Sequence, residues 1–149
     1  MPKFFLRLLA CCLLLGAAAG ALAETYEVGQ VWSYKTRPQE PKSTLMILRI
    51  DNTSKLGQVV FVGLTDLRVQ HPNGKAIASM SPLPFTKQAL DTSVVKLVGK
   101  TDNPMSSNFG FMKWKEAQLA GKTPPTYDKP VAEIVNRLEN GYIGIPPKS

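Results

Sequence analysis

From Gln30 to Arg37 the chain alternates, with Trp32, Tyr34 and Thr36 on one side, the period of a strand that buries one face. Pro38-Gln39-Glu40-Pro41-Lys42-Ser43 interrupts it, because two prolines cannot sit inside a hydrogen-bonded ladder. The alternation resumes from Thr44 to Asp51, placing Met46, Leu48 and Ile50 on one face and Leu45, Ile47 and Arg49 on the other. After a turn at Asn52-Thr53-Ser54-Lys55 comes Gln58 to Leu64, the stretch richest in β-branched residues and so the strongest strand. Asp66 to Val69 extends it past a bend at Gly63. His71-Pro72-Asn73-Gly74 turns once more, and Ala76 to Met80 suits a short edge strand. These segments predict an antiparallel meander.

Beyond Pro84 the apolar period lengthens to that of a helix. Thr86 is placed as an N-cap with Phe85 stapled onto Leu90. Leu90, Val94, Leu97 and Val98 then share one face, and Gly99 suits the C-terminal cap. Asn108 opens a second helix that carries Phe109, Met112, Trp114 and Leu119 and ends at Gly121. Pro130 opens a third, with Val131, Ile134, Val135 and Leu138 at helical spacing and Asn140-Gly141 closing it. Strands first and helices after predict an α+β fold. The expected architecture is an antiparallel β-meander of three to four strands, followed by about three helices packed on one face.

The N-terminus changes the picture of where this domain works. Lys3 and Arg7 precede an apolar run from Leu8 to Ala23, which ends in the small-x-small triplet Ala21-Leu22-Ala23 before polar Glu24. That order is a secretory signal peptide, residues 1–23, and the run is shorter than the roughly 20 residues a membrane span needs. The expectation is cleavage after Ala23, no stable membrane insertion afterwards, and a single globular domain at 24–149. An alanine-rich leader of this kind points to the bacterial periplasm. Both cysteines, Cys11 and Cys12, leave with the leader, which excludes disulfides and thiol chemistry from the mature chain. Lys3 and Arg7 leave too, lowering the net charge of +7 by two. The remaining lysines are scattered, so the pattern is a solvated surface and not a nucleic-acid footprint.

Motifs for chemistry are weak. Ser93-Val94-Val95-Lys96 spells the S-x-x-K of penicillin-interacting enzymes, but it falls within the expected helix and lacks the accompanying S-D-N and K-T-G. Gly99-Lys100-Thr101 and Gly121-Lys122-Thr123 have Val94 and Glu116 where a phosphate loop needs glycine, so both are expected as helix caps. His71 is the single histidine, too little for a histidine-based metal site, and no cofactor is expected. Trp32, Tyr34, Phe61, Phe85, Phe109, Phe111 and Trp114 suit a core, or a ligand cup. The turns offer the candidate binding residues: Tyr34, Arg37 and Glu40 around the first, and Asp66, Arg68 and His71 after the third strand. They are expected to form an exposed mixed polar rim of the kind protein interfaces use.

Val28-Gly29-Gln30-Val31-Trp32-Ser33-Tyr34-Lys35-Thr36-Arg37-Pro38, followed by Thr44-Leu45-Met46-Ile47-Leu48, resembles a recurring opening of small uncharacterised exported bacterial proteins. Pro84 to Leu90, Lys113 to Ala117 and Val131-Ala132-Glu133 fit the same pattern, while Pro130 departs from the capping serine usual there. The resemblance transfers no activity. Size, export and the absence of chemistry suggest that such exported proteins include periplasmic immunity proteins against toxins such as type VI secreted phospholipases. The expected function is therefore a non-catalytic binding protein with a protein partner, neutralising a toxin effector by occlusion. A small hydrolase with an unfamiliar carboxylate site, or an envelope protein binding a small ligand, are the alternatives.

Overall fold

The structure is a computed structural model that describes residues 24–104 and 108–142. The expected leader lies outside the described residues, and so does the side chain of Phe109. Five strands form one antiparallel sheet: β1 (Gln30–Tyr34), β2 (Thr44–Thr53), β3 (Gly57–Thr65), β4 (Met80–Thr86) and β5 (Val94–Lys100). The order across the sheet is β4-β3-β2-β1-β5. The expected meander is present, but its fourth strand runs over Met80–Thr86 in place of Ala76 to Met80, and a fifth strand lies among the helices in sequence. Helix α1 (Lys87–Asp91) links β4 to β5, and α2 (Asn108–Leu119) and α3 (Val131–Tyr142) follow. The class is α+β.

β2 shows why alternation alone misplaced half a strand. Ile47 pairs with Val62, but Arg49 pairs with Phe61, so Leu48 is the extra residue of a bulge. A bulge shifts the pleat by one. Leu45 and Ile47 therefore face the main core, and beyond the bulge it is Ile50, not Arg49, that joins them. Arg49 turns to the opposite face, its guanidinium 3.8 Å from the centre of the Phe111 ring.

β3 decides where the helices go. Val59 to Leu64 are all buried, on both sides of the strand, and a strand buried on both faces needs cover on both. One face carries Val60, Val62 and Leu64, packed with Trp32, Phe85, Leu90 of α1 and Val131, Ile134 and Val135 of α3. The other carries Val59 and Phe61, packed with Trp114 and Phe111 of α2. The expectation of helices on one face is thus corrected: α2 lies on the reverse. Its buried edge is Phe111 and Trp114, three apart, while Met112 and Leu119 face solvent. The aromatic set is divided by the sheet, and no single cup contains it.

The expected long helix after Thr86 is also corrected. Thr86 caps α1 as anticipated, accepting from the Ala89 amide. The helix stops at Asp91 because the next two hydroxyls turn back onto it: Thr92 Oγ1 and Ser93 Oγ each donate to the Ala89 carbonyl, at 2.8 and 2.7 Å. Ser93 Oγ then accepts from the Val131 amide at 3.0 Å, capping the start of α3. Ser93 is buried, not helix surface. Gly99-Lys100-Thr101 consequently ends a strand. Gly121 does end a helix, at φ 77°, with the Gly121 and Lys122 amides donating to the Gln118 and Ala117 carbonyls in a Schellman closure.

Candidate functional site

The turn between β1 and β2 and the longer link between β3 and β4 leave the same end of the sheet. Arg37 ties them together and to α3. Its Nε and Nη2 meet the two carboxylate oxygens of Glu40 at 2.7 and 2.9 Å. Nη1 reaches Asn136 Oδ1 and Glu139 Oε1, both at 3.1 Å. Nη2 also donates to the Arg68 carbonyl at 3.3 Å. A guanidinium has five N–H donors, and here all five are directed at acceptors. Glu40 Oε2 accepts from the Arg68 amide at 2.8 Å, and Glu139 Oε2 from the Gln70 amide at 2.7 Å. The hydrogen bond and charge of Glu40, with Glu139 behind, raise the Arg37 pKa above its ordinary value.

This clasp corrects three of the expected rim residues. Arg37, Glu40 and Tyr34 are 3, 2 and 5% exposed, so none of them is a surface contact. Turn residues are usually solvated, but here α3 lies over the turn and covers it. Tyr34 points into the core, its hydroxyl 2.7 Å from Ser43 Oγ. Ser43 spends its own proton on the Thr65 carbonyl, so Tyr34 is the donor. Burial, with the nearby charge of Glu40 adding to it and the Ser43 bond opposing, pushes the Tyr34 hydroxyl up to about 12.

Asp66, Arg68 and His71 occupy the outer layer. Asp66 is exposed at φ 53°, a left-handed position that Asp tolerates better than most residues. It ends β3 rather than extending it. Arg68 gives only its backbone to the clasp; its side chain is exposed. His71 is half-buried at the head of its turn, where Nδ1 accepts from the Asn73 amide at 3.3 Å and the carbonyl from Gly74. Two open hollows flank Arg68. One of about 280 Å³ is bounded by Gln39, Lys42 and Asp66, the other of about 500 Å³ by Gln70, Ala76 and Glu139. Of the six expected residues, Asp66 and Arg68 are thus exposed and His71 half-buried, and Gln39, Lys42 and Gln70 are exposed beside them. Asn136 and Glu139, which complete the clasp, were not anticipated: they lie about a hundred residues away in sequence, and their i, i+3 spacing is that of any polar helix face.

A further cleft of about 350 Å³ lies where the β2–β3 hairpin meets the end of α2, lined by Lys55, Leu56, Lys115, Leu119 and Lys122 among others. Its inner lysine is already committed: Lys115 binds Asp51 at 3.0 Å and Gln118 at 2.9 Å. Among the described residues, no group of three or more His, Cys, Asp and Glu side chains could hold a metal ion, and no helix is long and apolar enough to cross a membrane. The chain matches no protein-family model, no curated protein and no solved structure.

Proposed function

We propose that the mature chain is a non-catalytic binding protein of the bacterial periplasm, an immunity protein that neutralises a toxin effector by covering part of its surface. The observation that carries this reading is the Arg37 clasp. It spends every donor of a buried guanidinium inside the protein. Two connections are thereby held against α3. A pre-organised loop surface loses less entropy on binding a partner. What it presents outward, Asp66, Arg68, Lys42 and the hollows between them, is a mixed-charge surface with relief. Such a surface fits a protein partner of mixed charge better than the phosphate-binding mouth of a phospholipase, which a basic protein would repel.

The test is capture of a partner from the periplasm by the wild-type protein and by two variants. Arg68→Ala removes the exposed side chain and leaves the backbone bonds of the clasp. Asp66→Asn removes the charge without straining the left-handed backbone, which Asn also tolerates. Both should melt as the wild type does, and each should weaken capture by about 1–3 kcal/mol if these are hot spots. Capture that survives both changes undiminished removes this surface from consideration.

A further inference from the structure

Edge strands that face solvent usually carry polar side chains, proline or short runs, because an open row of backbone donors and acceptors invites another strand. β5 does otherwise. Every residue from Val95 to Lys100 is exposed, including Val95 at 63%, Leu97 at 45% and Val98 at 51%. Only β1 pairs with it, and its outer edge has no strand neighbour among the described residues. The apolar side chains are therefore not explained by the core, since Val94 alone reaches it.

The position is firmly built. Ser93 anchors the start of β5 between α1 and α3. At its far end Thr101 donates to the Gly29 carbonyl at 2.9 Å. Gly29 sits at φ 92°, where an added Cβ would lie 2.1 Å from the Thr101 oxygen. Register shifts opposite Val31/Trp32 and Ser33/Tyr34 mark two bulges, which keep the edge from offering a long flat ladder. The extra residues are Val95 and Val98, so the docking stretch centres on Lys96 and Leu97, in regular register between them.

Charge selects the occupant. The strand holds Lys96 and Lys100 and no acid. Lys100 already holds a carboxylate at this edge, its Nζ 2.7 Å from Glu27 Oε2. A second copy of β5 would bring another lysine-bearing strand with no acid and so no carboxylate for Lys96, whereas an opposite charge across the ladder stabilises the pairing. We propose that β5 is a docking strand for an extended segment of another protein in which apolar and acidic residues alternate. Main-chain hydrogen bonds supply affinity and the side-chain pattern supplies choice: Val95, Leu97 and Val98 take the apolar positions and Lys96 a carboxylate. None of these residues borders the hollows around Arg68, so this surface stands or falls independently of the loop end.

The probe is a fluorescent peptide of alternating valine and glutamate, read by anisotropy, with a valine–lysine peptide as control. The acidic peptide should bind, bind less well as salt is raised, and bind the Val95→Lys/Leu97→Lys double variant at least tenfold more weakly. That variant should keep the wild-type circular dichroism and melting temperature. Lys96→Glu should reverse the preference between the two peptides, and it gives an answer even if the double variant folds poorly. The proposal is overturned if neither peptide binds, if both bind alike, or if Lys96→Glu leaves the preference unchanged. A concentration-dependent dimer in sedimentation velocity that the double variant abolishes would also overturn it, since a second copy would then be the occupant.

Discussion

The two edges of the sheet are finished in opposite ways. β4 turns Leu83 and Phe85 inward and alternates them with Pro82 and Pro84, residues with no amide to leave unpaired at an edge. What remains is partly closed by Tyr127, whose amide donates to the Pro84 carbonyl at 2.8 Å and whose carbonyl accepts from the Thr86 amide at 2.9 Å. β5 has no proline and no bridging segment among the described residues, and it exposes valine and leucine. One edge has been built into the core; the other has been fastened at its two ends and left open between them. Two bulges and two lysines guard β5, enough to discourage long flat pairing while leaving room for a short strand.

The sharpest way to break this comparison is to truncate one inward and one outward side chain. Phe85 is fully buried, and Phe85→Ala should cost about 3–5 kcal/mol, a large share of a small domain's stability. Trp32→Ala, on the same core face, belongs to that class. Val95→Ala and Leu97→Ala should stay within about 0.5 kcal/mol. Urea denaturation of the four variants decides the point, and a β5 variant as costly as Phe85→Ala would mean that the open edge is covered after all.

Next in size are the loops that leave the sheet beside Tyr34. Arg37→Ala strands Glu40 as a buried, unpaired carboxylate, and breaking such a pair costs about 3–5 kcal/mol, somewhat less where water can enter. Thermal melts should show Arg37→Ala strongly destabilised and Arg68→Ala almost unchanged. Equal effects would mean that the clasp is open to water.

Gly29→Ala should loosen the far end of β5 specifically. It forces a left-handed backbone on alanine, at about 1–2 kcal/mol, and drives a methyl into the Thr101 carbonyl. Hydrogen exchange should quicken along β5 more than along β4. Uniform quickening would mean that β5 is not an independently fastened element.

The smallest effect is at high pH. Tyr34 faces Val94 at the start of β5, and its hydroxyl is raised from 10.0 to about 12. A group whose folded pKa is raised leaves stability whole below the unfolded value and removes it as pH rises through the folded one. Stability should therefore fall between about pH 10 and pH 12, and Tyr34→Phe should flatten part of that fall, leaving a remainder to Tyr26, whose burial and bond to Asp91 also raise it. Urea midpoints measured across that range, wild type against variant, test it. Parallel curves would sink the assignment.

Much of the architecture was written locally. The alternation of β1 and of β2 as far as Ile47, the β-branched run of β3, the cap at Thr86, the helix closed by Gly121, and the apolar stripe of α3 all depend on neighbours within a few residues, so the sequence alone determined them. Even the cover on both faces had a trace, because the unbroken run from Val59 to Leu64 has no polar side to leave in water. Other features needed the tertiary structure. Leu90, Val94, Leu97 and Val98 satisfy a helical period, but the free edge of β1 and the back-turned hydroxyls of Thr92 and Ser93 make the segment a strand. Arg37 and Glu40 look like a solvated turn until Asn136 and Glu139 arrive from α3. Periodicity registers which side of an element is apolar, whereas burial of a charge and pairing of an edge depend on partners whose distance along the chain leaves no local mark.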